Sequence, residues 1–205
     1  MSIADEYATQ IAEIAILSIA SGLENGSPYE PDLSELPDAL RQKTGCFVTL
    51  YKDGVCCGCM GTLTPDVCLA VDVANSAFNA AYADPRYPEL TAESILDGDI
   101  EIEISVISKL DAVQCFSDQD LQSQINSNNG LLLVDGDKDA SFLPQMWNMY
   151  PDKDSFVAAL KSELGYERDY WSDTMKFYKF TTERITSEIP LDEYYNSLNN
   201  DDEQE

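Results

Sequence analysis

The sequence predicts an α+β fold in which an antiparallel sheet is flanked by helices. Residues 45–61 have the pattern of two short strands joined by an Asp-Gly turn, where glycine accepts the positive φ of a tight hairpin. Residues 99–108 alternate apolar and polar side chains with the period of a half-buried strand. Residues 2–21 and 64–84 repeat apolar side chains at helical spacing. These observations together predict the fold class.

The first helix is predicted over residues 2–21. Ser2 and Asp5 have the spacing of a capping box, and Gly22 is a typical residue to end a helix. Residues 23–44 contain glycine, serine and three prolines, so we expect a loop there.

The second helix is predicted to begin with Thr64 as its cap and Pro65 at its first position. It should end near Asp84, because Pro85 disfavours helical geometry in the residue before it. Its many alanines predict close packing against the sheet.

The remaining elements are predicted from shorter patterns. They are a short helix at 90–96, a weak helix at 118–127, a hairpin of strands at 130–135 and 140–143, a helix opening at Pro144, a helix over 152–164 ending at Gly165, a strand over 175–184 and a short helix over 190–198. We expect the acidic end of the chain to fray. The folded domain is therefore predicted to span residues 1–189, with 190–205 outside it.

The charge of the chain narrows the class of its partners. There are 38 acidic and 12 basic residues and no histidine, which gives a net charge of −26. Nucleic acids and anionic membrane surfaces both need a basic surface, so neither is an expected partner. The excess charge indicates a heavily solvated surface, and adaptation to a saline environment is the alternative.

The start of the chain and its cysteines predict where the protein resides. The first residues are acidic and have no positive stretch before the apolar ones, so they do not resemble a signal peptide. The six cysteines are then expected to be reduced thiols rather than a disulfide framework. We predict a cytoplasmic protein.

Three of the cysteines, at positions 56, 57 and 59, fall in one four-residue stretch of the second hairpin strand. Strict alternation predicts that Cys57 and Cys59 share one face of that strand and that Cys56 lies on the other. Gly58 and Gly61 flank Cys59, where glycine allows a backbone or a ligand to approach closely.

These thiols have three interpretations. Free cysteines are often buried and pack as small apolar side chains. Alternatively, Cys59 is a nucleophile, although a chain without histidine offers only a carboxylate, a lysine or a tyrosine as its base. A metal site would need further ligands from Cys46, Cys68 or Cys115. We predict neither a metal site nor a cofactor.

A rigid turn after the second helix offers candidate ligand-binding residues. Arg86 either pairs with Asp84 and caps carbonyl groups, or binds a carboxylate or phosphate. Tyr87 follows it, and Gln145 is a neutral amide that either starts a helix or contributes to the same site. Together with Gly58 and Gly61, these residues are the candidate binding set around Cys59.

Five motifs resemble those of the AmmeMemoRadiSam system protein A family, also called the AMMECR family. They lie in order across residues 5–185 and read GCFVTLYKDGVCCGCMG, DPRY, EISVIS, FLPQMW and YWSDTMKFYKFTTE. The resemblance implies two unequal, interlocked subdomains with a cleft between them and the hairpin facing that cleft. It also implies a soluble intracellular protein with a Memo-type protein and a radical-SAM protein as possible partners.

The chain departs from the family pattern at two basic positions. The usual signature L-R-G-C-I-G has an arginine where this sequence has Cys57, and a second basic position is Asp139 here. An anionic ligand should therefore bind less well to this member. We expect a binding or accessory protein, and the alternative is an enzyme that uses Cys59 on a small anionic substrate, with Arg86 binding that substrate.

Overall fold

The chain forms two units, each built around a four-stranded sheet. A computed structural model describes residues 2–187, so the predicted helix at 190–198 lies outside the described residues. The first unit contains residues 2–107 together with 183–187, and the second contains residues 108–182. The predicted α+β class, with antiparallel pairing and flanking helices, is confirmed, but the strands form two sheets rather than one.

The elements, in chain order, have the following bounds. They are α1 (Ile3–Asn25), β1 (Cys46–Lys52), β2 (Val55–Thr62), α2 (Leu69–Tyr82), α3 (Ala92–Leu96), β3 (Ile100–Ile107), β4 (Asp111–Val113), α4 (Asp118–Gln124), β5 (Gly130–Asp135), β6 (Lys138–Phe142), a 3-10 helix (Pro144–Asn148), α5 (Lys153–Glu163), β7 (Lys176–Phe180) and β8 (Thr182–Thr186).

The first helix is longer than the sequence predicts. The capping box of Ser2 and Asp5 is present as predicted, but the helix continues through Gly22 and ends at Gly26, which has a φ of 68°. Gly22 has a packing role instead, because a Cβ at that position would lie 2.1 Å from the ring of Tyr82 in α2. The glycine therefore allows α1 and α2 to approach closely.

The second helix begins later than predicted. Thr64 and Pro65 precede it, and the first helical residue is Leu69. The reason lies in the preceding loop: the N–H of Leu69 donates to the carbonyl of Gln42 at 2.8 Å, and the N–H of Ala70 donates to that of Leu40 at 3.1 Å. Backbone carbonyls thus satisfy the first-turn donors that a side-chain cap usually satisfies.

The first sheet has the strand order β2-β1-β3-β8. β1 pairs antiparallel with both β2 and β3, and one face of these strands packs on α1 and α2. Fully buried apolar side chains fill this core, among them Val48, Leu50, Ile104, Ile19 and Val73. Apolar burial of this kind is the main favourable contribution to folding.

A carboxylate, Asp72 of α2, is buried in this core. One of its oxygens accepts a hydrogen bond from the backbone N–H of Cys46 at 2.9 Å. Burial disfavours the charged form and raises the pKa of Asp72 to about 6, although the hydrogen bond from Cys46 opposes the shift. This group therefore changes charge in a range where exposed aspartates stay ionised.

The second sheet has the order β4-β7-β5-β6, and all of its pairs are antiparallel. The predicted hairpin of β5 and β6 is confirmed. The predicted single strand over 175–184 is wrong: β7 belongs to the second sheet and β8 to the first, with Thr181 between them. The helix predicted to open at Pro144 is one short 3-10 helix.

A buried lysine connects two helices of the second unit, α5 and α4. Lys161 of α5 is fully buried and pairs with Asp118 at 2.7 Å. Its ammonium group also lies 5.5 Å from the ring centroid of Trp171. A buried charge needs such partners, because isolated burial costs several kcal/mol. Within residues 2–187, every helix is too short or too polar to cross a membrane.

Candidate functional site around Cys59 and Asp84

The hairpin contains a β-bulge that changes which cysteines share a face. Leu50 pairs with Gly58, but the next residue of β1, Tyr51, pairs with Cys56, so Cys57 is the extra residue. Cys57 packs against the first core, whereas Cys56 and Cys59 lie on the opposite face with Tyr51 and Thr49. The predicted sharing of one face by Cys57 and Cys59 is therefore wrong, because a bulge breaks the alternation of side chains.

Cys59 is held by three neighbours. Its backbone N–H donates to Oδ2 of Asp84 at 2.9 Å, and its carbonyl accepts from Nη2 of Arg86 at 2.6 Å. Its thiol sulfur accepts a hydrogen bond from the Thr49 hydroxyl at 3.3 Å. Because β2 is an end strand of its sheet, its outer N–H and C=O groups have no neighbouring strand, and the Asp84–Arg86 turn takes that place.

The pair of Asp84 and Arg86 is asymmetric in exposure. The Asp84 side chain is 1% exposed and the Arg86 side chain 60% exposed. Nε and Nη2 of Arg86 donate to the two carboxylate oxygens at 2.9 and 2.7 Å, in a forked arrangement. The bonds from Arg86 outweigh the effect of burial and lower the pKa of Asp84 to about 2. Of the two alternatives for Arg86, the structure contains the contacts of the first, with Asp84 and with the carbonyl of Cys59, and ligand binding by Arg86 stays a prediction.

Burial affects the ionisation of the Cys59 thiol. Burial raises its pKa above the ordinary value for cysteine, and the hydrogen bond from Thr49 only partly offsets this effect. Burial also raises the pKa of the Cys57 thiol. A thiol with a raised pKa is mostly protonated at neutral pH, and the protonated form is a poor nucleophile.

The two glycines beside Cys59 are required by the protein's own backbone. A Cβ on Gly58 would lie 2.1 Å from the carbonyl oxygen of Ala80 in α2. A Cβ on Gly61 would lie 2.2 Å from the carbonyl oxygen of Cys46. Close packing of strand on helix and of strand on strand therefore explains both glycines without a ligand.

Tyr87 lies beside Arg86 and Cys56. The guanidinium carbon of Arg86 is 5.5 Å from the centroid of the Tyr87 ring. A hydrogen bond with the Cys56 side chain raises the pKa of Tyr87 above its ordinary value. Tyr87 is therefore a protonated hydrogen-bonding group at neutral pH and not a ready general base.

A second carboxylate on this face was not predicted. The alternation of β3 places Glu103 outward, but Glu103 is only 8% exposed. It lies directly across from Thr49 in the register, and the Nε of Arg184 in β8 lies 3.3 Å from its carboxylate. Cys59, Thr49 and Glu103 thus form one row across three strands. The burial of Glu103 follows from its position across from Thr49 in the register, and the sequence of β3 alone does not contain that register.

The remaining candidate, Gln145, lies in the 3-10 helix of the second unit and is partly buried. The structure brings together Cys59, Gly58, Gly61, Arg86 and Tyr87 in the first unit. Asp139 is exposed on β6. In the part of the chain that the structure describes, no three cysteines or carboxylates are grouped as metal ligands.

The AMMECR1 family model matches residues 12–185, which is most of the chain. The chain belongs to the AMMECR1 family. Its relatives in this family include a protein of Thermococcus onnurineus, 31% identical over 197 residues that span 92% of this chain and 94% of the relative. A Thermotoga maritima protein is 30% identical over 173 residues, 83% of this chain and 93% of the relative.

The fold is also that of a solved AMMECR1-family structure. The crystal structure of Uncharacterized Protein PH0010 from Pyrococcus horikoshii matches with a TM-score of 0.81 and 27% identity, over 90% of this chain and 93% of that one. In this AMMECR1-family chain, Cys57 is partly buried and packs against the first core. Arg86 is a cation that contacts Cys59, through the carbonyl of that residue.

Proposed function

We propose that this AMMECR1-family chain is a binding or accessory protein that presents the outer face of its hairpin to another protein. One observation carries the proposal. The charged groups next to Cys59 hold its backbone, since Asp84 accepts from its N–H and Arg86 donates to its carbonyl. Groups used in this way keep the surface in shape and are not available to activate a thiol.

The proposed contact area, here named the hairpin surface, consists of Tyr51, Cys56, Arg86 and Tyr87. Tyr51 and Cys56 are cross-strand partners, and Tyr87 is next to Cys56 and Arg86. Aromatic residues and arginine are the residue types that contribute most to binding energy at protein interfaces.

The first partners to test are the Memo-type protein and the radical-SAM protein that the family resemblance implies. Each is titrated with the full chain by isothermal titration calorimetry. A variant with both Tyr51→Ala and Tyr87→Ala should bind at least about tenfold more weakly, because it removes two aromatic anchors from the hairpin surface. Leu33→Ser, an exposed apolar residue in a loop away from β2, is the matched control and should bind as the wild type does. Equal affinities for all three chains contradict the proposal.

The second candidate function is an enzyme that uses Cys59 as a nucleophile on a small anionic substrate. The observation in its favour is the row of Cys59, Thr49 and Glu103, in which a hydroxyl contacts the sulfur and a carboxylate lies across from that hydroxyl. A nucleophile of this kind needs a lowered thiol pKa, and the pKa of Cys59 is raised. A reactive Cys59 that Glu103→Gln makes unreactive would favour this candidate over the binding role.

A further inference from the structure

The second unit contains a pocket outside the hairpin site. It lies next to β4 and β7, and its volume is about 530 Å³. We name it the β4–β7 pocket. Its lining includes Val113, Cys115, Phe116, Trp171, Phe177 and Tyr178. Concave sites of a few hundred Å³ with apolar and aromatic walls are typical of small-molecule binding.

The pocket lies at the end of the β4–β7 pairing, beyond the last of three pairs. Val113 pairs with Phe177 in that last pair, and the lining continues to Cys115 after β4 and to Met175 before β7. Val113, Met175 and Phe177 are buried and belong to the core of the second unit. The floor of the pocket is therefore rigid and apolar.

The walls of the pocket are aromatic. Trp171 stacks on Phe177, with ring centroids 5.7 Å apart. Phe116 is 82% exposed, which is unusual for a phenylalanine and leaves its ring free to contact a ligand. The Trp171 ring already lies 5.5 Å from the ammonium of Lys161, so Phe116 rather than Trp171 is the ring expected to contact the charge of a ligand cation.

Charged groups of both signs lie near the pocket. Burial raises the pKa of the Cys115 thiol, and the negative charges of Asp120 and Asp118 raise it further, although Asp118 is paired with Lys161 at 2.7 Å. Asp173 also lines the pocket, and Lys176 is the opposing charge there. The net charge of −26 attracts cations to the whole molecule.

We propose that the β4–β7 pocket binds a small organic cation, an ammonium group carried on an apolar or aromatic body. The aromatic walls bind the ammonium through the negative faces of their rings, and the apolar floor contacts the body of the ligand. Asp173 and Lys176 carry opposite charges at the pocket, so their removal should change the affinity for a cation in opposite directions. Loss of Asp173 should weaken binding, and loss of Lys176 should strengthen it.

Benzyltrimethylammonium is the probe, titrated into the full chain by calorimetry. Choline and its neutral isostere 3,3-dimethylbutan-1-ol form a matched pair that differs only in charge. We expect one probe bound per chain, with choline bound at least about tenfold more tightly than the neutral isostere. Equal binding of choline and the isostere, or no heat with millimolar benzyltrimethylammonium, overturns the proposal.

Variants of exposed residues test the walls without disturbing the core. Phe116→Ala should weaken binding by about fivefold, because it removes one ring. Asp173→Asn should weaken binding about twofold and Lys176→Gln should strengthen it about twofold. Asp137→Asn, an exposed aspartate in the turn between β5 and β6, is the control for net charge and should have no effect. Weaker binding by Lys176→Gln would overturn the proposed charge preference.

Discussion

The Asp84 carboxylate joins the DPRY turn to the end strand of the first sheet. It accepts hydrogen bonds from Cys59 and from the Arg86 side chain, and its own side chain is buried. Removing its charge leaves the backbone N–H of Cys59 and the guanidinium of Arg86 with a weaker partner. The cost of unpairing buried polar groups makes this residue a structural centre of the site.

Asp84→Asn is expected to lower the free energy of unfolding, and the size of this loss should depend on pH. The pKa of Asp84 is lowered from 3.8 to about 2 in the folded chain, so its contribution is present above pH 4 and is lost as pH falls toward 2. The contribution is at most about 2 kcal/mol, because the exposed Arg86 is screened by solvent. Urea unfolding at pH 6 and at pH 2.5 measures it. An unchanged difference between wild type and variant at the two pH values contradicts this prediction.

Asp72 is the matched control because its pKa is shifted in the opposite direction. Its folded pKa of about 6 lies above the ordinary 3.8, so its contribution is complete below pH 4 and is lost as pH rises through 6. Asp72→Asn keeps an acceptor for the N–H of Cys46 but removes the titration. In the same unfolding experiments, the free energy of unfolding of the variant should therefore rise relative to that of the wild type between pH 4 and 7.

At the scale of elements, β2 and α2 are held at a distance that only glycine permits. Gly58→Ala places a Cβ 2.1 Å from the carbonyl oxygen of Ala80, a clash with backbone that no rotamer relieves. We expect a loss of at least about 2 kcal/mol in the free energy of unfolding. Cys56→Ala on the same strand should cost less than about 1 kcal/mol. Similar values for the two variants would show that the helix moves away freely.

Regular local patterns predicted most of the elements, and contacts distant in sequence decided the rest. The Asp-Gly turn and the alternation of β3 are local, so the hairpin and that strand were predicted correctly. The start of α2 was not, because its first N–H groups are satisfied by carbonyls of a preceding loop. The bulge at Cys57 depends on how β2 fits beside β1, and the sequence of β2 alone does not show it.

The site was predicted in part for the same reason. Cys59, Arg86 and Tyr87 were found because reactive and basic residues are conspicuous in this chain, and the structure places them together. The role of Asp84 toward Cys59 and the burial of Glu103 were missed, since both arise from cross-strand and helix-to-strand contacts.

At the scale of the whole molecule, charge repulsion opposes folding. With 38 acidic and 12 basic residues, the chain has a net charge of −26 that repels itself, and dissolved ions screen this repulsion. The melting temperature should therefore rise by several degrees between low salt and about 1 M NaCl. KCl should give the same rise, because screening does not depend on the identity of the cation. A melting temperature independent of both salts would rule out repulsion as a significant term.

We propose that Cys59 is a protonated thiol whose backbone is held by Asp84 and Arg86 beside the hairpin surface. The alkylation rate of Cys59 by iodoacetamide, followed residue by residue with mass spectrometry from pH 6 to pH 10, tests this claim directly. We expect slow alkylation at neutral pH and an apparent pKa above the ordinary 9.0, because burial disfavours the thiolate. Rapid alkylation at pH 7 with an apparent pKa below that value would contradict it.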